Sequence, residues 1–144
     1  MNPLKKAYCR CFQLAFRLAI PFMPYRKPQI FSSIKECVEK LAELKITSLL
    51  LVTDSFLRKS GVTASLENLL KEKGIACYVY DGTQPNPTVQ NVEEATALYR
   101  ANNCQALIAF GGGSSMDCAK ATGACVVYPK KTLAQMRGLL RVLR

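Results

Sequence analysis

A chain of 144 residues has the length of a single domain and is long enough to bury a substantial core. Its net charge of +10 invites a nucleic-acid partner, but residues 1–27 carry six Lys or Arg, residues 130–144 carry five, and neither end has an acid. Between them nine bases meet ten acids, so the basicity belongs to the two ends and no binding stripe for nucleic acid runs through the body.

Histidine is absent, which excludes the common hydrolase triads and His-containing metal sites from this chain. The seven cysteines form no Cys-x-x-Cys pair and sit mostly among apolar neighbours. An odd count without a framework fits reduced thiols in a cytoplasmic protein.

From Ala7 to Met23 the chain is apolar and aromatic, with Lys6, Arg10, Gln13 and Arg17 recurring at helical spacing. Arg10, Arg17 and Pro21 interrupt it too often for a transmembrane span, and no small-residue cleavage site follows. The expected element is an amphipathic helix that covers part of the body or forms a subunit contact. Attachment to an anionic membrane surface is the less favoured reading. Pro21, Pro24 and Pro28 are then expected to form an extended connector.

The body opens with Ser33-Ile-Lys-Glu36, which reads as a capping box for a helix lined by Ile34, Val38, Leu41 and Leu44. Thr47–Thr53 reads as a buried strand ending at Asp54. Helical segments 55–61 and 63–73 follow, with a break at Gly61 and a stop at Gly74. Ile75–Tyr80 is the second expected strand, and Thr88–Asn102 is a helix burying Val89, Val92, Ala95 and Leu98 or Tyr99. The third strand, Ala106–Phe110, is expected to be buried on both faces. Strands joined by helical crossovers imply an α/β fold with a parallel sheet, in which ligands bind at the carboxyl ends of the strands.

Gly111, Gly112 and Gly113 end the third strand, and Ser114 with Asp117 reads as an N-cap and its reciprocal partner, opening a helix whose first amides form an anion site. No Gly-Lys-Ser/Thr follows, so this is not a Walker loop; Met116 stands where a Gly-x-Gly-x-x-Gly motif would place its third glycine. Asp54, Asn86 and the glycine turn all fall on the ligand edge of the predicted sheet. An isolated Asp after a strand also serves as a turn former or helix cap, and Pro85-Asn86-Pro87 also fits a rigid surface turn. An acid that accepts ribose hydroxyls repels a 2′-phosphate, so Asp54 favours NAD over NADP.

Val52-Thr-Asp54, Asp81-Gly-Thr-Gln-Pro-Asn-Pro-Thr88, Asn91-Val-Glu-Glu-Ala95 and Gly111-Gly-Gly-Ser-Ser-Met-Asp-Cys-Ala-Lys120 occur in one order. From about Arg26 to its end the chain resembles the iron-containing alcohol dehydrogenases, relatives of glycerol dehydrogenase and dehydroquinate synthase. The resemblance implies a Rossmann-like nucleotide-binding domain over residues 28–129, between a basic apolar arm (1–27) and a truncated basic tail (130–144). It implies that the cofactor contacts Asp54, Asn86, Gly111, Gly112, Gly113, Ser114, Ser115, Met116 and Asp117, with Asp117 read first as a cap. The family metal, iron or zinc, is implied to be held by one Asp and three His in a later helical domain, so it has no ligands here and no catalytic residue is assigned.

The expected chain is therefore the N-terminal part of an NAD-dependent dehydrogenase, with incomplete cofactor walls and no activity alone on primary alcohols or aldehydes. The alternative is a non-catalytic nucleotide-binding or subunit-interaction module. A tail stripe of Leu133, Met136, Leu140 and Leu143 or Leu139, opposite Arg137, Arg141 and Arg144, adds an expectation of self-association.

Overall fold

The computed structural model describes residues 3–22, 27–138 and 142, and backbone contacts divide the chain between Ile30 and Phe31 into two compact units. The first unit is a helix, α1 (Pro3–Ala19), continued by a 3-10 turn over Ile20–Phe22. Its rings at positions four apart stack, Tyr8 on Phe12 at 6.5 Å and Phe12 on Phe16 at 6.2 Å between centroids. Pro21 lies inside the 3-10 turn, so the extended connector expected from three prolines does not begin there; Pro24 is outside the described residues. The turn tolerates proline because the ring's fixed φ suits its first positions. Among the described residues no helix is long and apolar enough to cross a membrane.

The second unit is an α/β sandwich. In chain order it contains α2 (Ile34–Glu43), β1 (Ser48–Val52), α3 (Ser55–Lys59), α4 (Ala64–Glu72), β2 (Ala76–Tyr80), α5 (Val89–Ala101), β3 (Ala106–Ala109), α6 (Gly113–Val127) and α7 (Leu133–Met136). The three strands are parallel in the order β2-β1-β3, with Leu50 opposite Tyr78 on one side and Leu107 on the other. The central strand alternates between two cores. Leu50 and Val52 pack with Val92, Ala95, Cys118 and Ala119 of α5 and α6, whereas Leu49 and Leu51 pack with Val38, Leu66 and Leu70 of α2 and α4. All four strand side chains are fully buried, and truncating any of them to Ala removes about 2–5 kcal/mol.

Several local expectations change. β3 is half-buried because it is an outer strand of the three, not a strand enclosed on both sides. Val89 is 57% exposed while Asn91 is buried, since the polar network described below rotates that turn of α5 inward. On α2, Val38 is buried and Leu41 packs beside it, but Ile34 and Leu44, at the two ends, are exposed beyond the reach of β1. Ser33 Oγ accepts from Glu36 N at 3.2 Å, but Glu36 Oε2 accepts from Ser32 N at 2.9 Å, one residue before the expected partner.

Helices α2, α4 and α5 end alike. Lys45, Gly74 and Asn103 take φ of 58°, 71° and 49°, and the next residue donates back to the helix: Ile46 N to Leu41 O, Ile75 N to Leu70 O, Cys104 N to Tyr99 O. This left-handed stop turns each chain into, or to within two residues of, the following strand. Near the C-terminus, Thr132 and Gln135 form a capping box and Met136 is buried, but the helix stops there: Arg137 is extended and Gly138 has φ 121°. The longer tail stripe is not formed from one helix, and its members Leu139, Leu140, Arg141, Leu143 and Arg144 lie outside the described residues.

Candidate functional site

The helices that follow β1 and β3 leave on opposite faces of the sheet: α4 joins the Leu49 core and α6 the Leu50 core. A crevice opens between such divergent connections at the carboxyl ends of neighbouring strands. Here it is a cleft of about 310 Å³ lined by Asp54, Ser55, Phe56, Thr83, Gln84, Pro85, Gly112, Gly113, Ser114 and Ser115. Three segments far apart in sequence therefore share one cavity.

The glycine turn forms one wall. Gly112, not Ser114, is the N-cap of α6 (φ −85°, ψ −166°), and no side chain caps the helix. The helix starts earlier than the Ser114–Asp117 pairing implies because extended Gly112 already accepts the first helical bond, from Met116 N at 3.2 Å. The amides of Gly113, Ser114 and Ser115 thus have no helical carbonyl to reach. They add to the positive end of a 15-residue helix beside the cleft. A Cβ on Gly112 or Gly113 would meet no atom within 4 Å, so neither position is packed against the rest of the protein. Gly111 differs: its φ is 135°, and a Cβ there would lie 2.8 Å from Leu57 Cδ1 and 2.9 Å from Ser115 Oγ.

Asp54 is half-buried at the end of β1 and caps the short α3, with Oδ1 accepting from Leu57 N at 2.9 Å. The helix-cap role is therefore real, and the same residue also lines the cleft. An isolated antiparallel bridge links it to Gly82. The 81–88 segment supplies the remaining wall through Thr83, Gln84 and Pro85. Thr83 is buried, and its hydroxyl has no oxygen or nitrogen partner among the described residues; the Cys118 thiol lies beside it. Burial pushes that thiol up, while the Thr83 and Thr122 hydroxyls act in the opposite direction.

The other predicted residues stand further off. Asn86 is exposed with φ 58°, between two prolines, and Pro85, not Asn86, lines the cleft. Gly111 shapes the turn without lining the cavity. Met116 (46% exposed) and Asp117 lie a turn further along α6, and Asp117 Oδ1 sits 3.8 Å from Lys120 Nζ at the surface instead of capping the helix. Ser55, Phe56, Thr83 and Gln84 were not singled out from the sequence. The Asp81–Thr88 motif already contained two of them, but only folding shows which of its side chains turn inward.

The sequence profile of the iron-containing alcohol dehydrogenases matches residues 29–142. The chain belongs to the iron-containing alcohol dehydrogenase family. Among similar proteins, the choline dehydrogenase of Bacillus subtilis (strain 168) is 45% identical over 91 residues, covering 63% of this chain and 23% of the relative. The NAD-dependent methanol dehydrogenase of Bacillus methanolicus is 34% identical over 91 residues, covering 63% and 24%. The solved alcohol dehydrogenase from Oenococcus oeni superposes with a TM-score of 0.67 at 30% identity, over 73% of this chain and 28% of that one. The chain spans about a quarter of the length of these relatives, and its second unit corresponds to their Rossmann-like N-terminal region. The chain has no histidine, and the described residues contain no group of three or more His, Cys, Asp or Glu able to hold a metal ion.

Proposed function

We propose that this chain is the dinucleotide-binding part of an NAD-dependent alcohol dehydrogenase that works on a primary alcohol or aldehyde. One observation carries the reading: Asp54 and the uncapped start of α6 line the same cleft. The amides of Gly113, Ser114 and Ser115 would hold a diphosphate, and Asp54 would accept hydrogen bonds from ribose hydroxyls. Its negative charge opposes a 2′-phosphate, so NAD is preferred to NADP. When bound, the nicotinamide supplies hydride acceptance and donation; the chain's own residues bind and orient it. The name of the methanol dehydrogenase relative supports NAD as the cofactor.

The chain alone is expected not to oxidise alcohols, since no group among the described residues is suited to hold a metal that would polarise the substrate oxygen. Seven free cysteines favour a reducing, cytoplasmic setting. Calorimetric titration tests the binding: NAD tighter than NADP is expected, and the reverse order, or no binding of either, overturns the reading. Metal-dependent NADH production by the purified chain would refute its inactivity. The lack of a metal-binding group among the described residues equally supports a second reading, a non-catalytic nucleotide-binding or subunit-interaction module, which predicts NAD binding with no turnover even when the remainder of a dehydrogenase is supplied in trans.

A further inference from the structure

Asn91 does not line the cleft, yet its side chain ties down both ends of the segment that does. It is 5% exposed. Its Nδ2 donates to Gly82 O at 3.1 Å and to Tyr80 Oη at 3.2 Å, and its Oδ1 accepts from Thr88 N at 3.1 Å. One amide thereby joins the end of β2, the first turn of the 81–88 segment and the start of α5. The fit on the other side is close: a Cβ on Gly82 would lie 2.9 Å from Tyr80 Oη, so the backbone at this point rests against the ring. Tyr80 Oη is itself fixed by donating to Glu94 Oε2 at 2.8 Å, and Gln90 Nε2 donates to Glu94 Oε1 at 2.8 Å. Between the clamped ends lie Thr83, Gln84 and Pro85, the wall opposite the glycine turn.

We propose that Asn91 is a positioning residue for the nucleotide: it holds the 83–85 wall at the spacing from α6 that the ligand requires. This rests on the dinucleotide reading above. A capping role alone would need only half of the contacts. Thr88 Oγ1 accepts from Asn91 N at 3.2 Å, and Asn91 Oδ1 answers to Thr88 N; these two bonds complete a capping box. The bonds from Nδ2 to Gly82 and Tyr80 add nothing to the helix end. They pre-order the loop, and ordering a binding wall before the ligand arrives removes that cost from binding.

Three variants separate the roles. Asn91→Asp keeps an acceptor for Thr88 N and loses both donors. Asn91→Leu is neutral, of similar size, and loses all three bonds. Thr88→Ala breaks the box from the other side and leaves Nδ2 on Gly82. NAD affinity is measured by calorimetry well below each melting temperature, so that every variant is compared as folded protein. The expected result is a loss of about tenfold in affinity for both Asn91 variants, with Thr88→Ala within about twofold of the unmutated chain although it melts earlier. Unchanged NAD affinity in Asn91→Asp, or an equal loss in Thr88→Ala, overturns the proposal and leaves the dinucleotide reading standing. A loss in Asn91→Asp with none in Asn91→Leu assigns the effect to the new charge and also overturns it. If Asn91→Leu does not fold, Asn91→Ser takes its place. No NAD binding by the unmutated chain overturns the underlying reading, and the positioning role falls with it.

Discussion

Asp54 Oδ1 accepts a hydrogen bond from the Leu57 amide at 2.9 Å, so the acid at the mouth of the cleft is at once the cap of α3 and the charge nearest the proposed ribose. The two roles separate because they need different properties of one side chain: the cap needs an acceptor oxygen, and discrimination against a 2′-phosphate needs the charge.

Asp54→Asn is therefore expected to keep α3 and the stability of the domain, since Asn caps as well as Asp. The preference for NAD over NADP should narrow by about tenfold, the effect of roughly 1.4 kcal/mol. Asp54→Gly should narrow it similarly and cost a few tenths of a kcal/mol more in stability. Titration of both dinucleotides into each variant checks this; an unchanged ratio would remove Asp54 from the specificity argument.

Gly111 is the glycine of the turn whose φ of 135° strains any side chain placed there. Gly111→Ala combines a φ of 135° with a Cβ inside contact distance of Leu57 Cδ1 and Ser115 Oγ. A loss of about 2 kcal/mol or more is expected. Gly112→Ala meets no protein atom, so its stability should change little, while a methyl group added at a glycine that lines the cleft is expected to weaken NAD. Denaturation and titration of the pair should give opposite orders of damage, and equal damage in both assays would show that the three glycines are not differentiated.

Alkaline pH should loosen the sheet. Burial first, then the hydrogen bond with Glu94, pushes Tyr80 from 10.0 up to about 12; burial first, then the charge of Glu67, pushes Cys77 from 9.0 up to about 11. In both groups the folded state favours the neutral form. Their stabilising contribution is complete below the unfolded values and is lost as pH rises through the folded ones. Stability should thus fall between about pH 9 and 12, and Tyr80→Phe should flatten the part above pH 10. Denaturant midpoints measured across that range give the test; a Tyr80→Phe curve parallel to that of the unmutated chain would contradict it.

Among the described residues, β2 and β3 each pair with β1 on one side only. Open strand edges carrying apolar residues associate. Concentration-dependent self-association is expected in sedimentation, and a chain that stays monomeric at high concentration with a cooperative melt would argue that other features protect these edges.

Local sequence patterns carried much of this protein. The βα alternation, the apolar strands, the stop at Gly74 and the Gly-rich turn follow from spacing and side-chain chemistry that act within a few residues, so they can be read from the chain directly. The motifs at Asp54, Asp81–Thr88 and Gly111–Lys120 also announced the family. Tertiary structure decided what distance in sequence conceals. Ser114 and Asp117 have the spacing of a cap pair, yet the helix begins at Gly113, because extended Gly112 already closes the first turn. Lys45 and Asn103 adopt the same left-handed stop as Gly74, although Lys, unlike Gly, has no intrinsic preference for it; the demand comes from where the next strand must start. Asn91 looks like one polar residue on a helix and is buried because three partners, Tyr80, Gly82 and Thr88, converge on it from β2 and the cleft segment. Which side chains of residues 81–88 face the cleft is likewise set by that convergence, since an irregular segment broken by Pro85 and Pro87 has no periodicity to reveal its inward face.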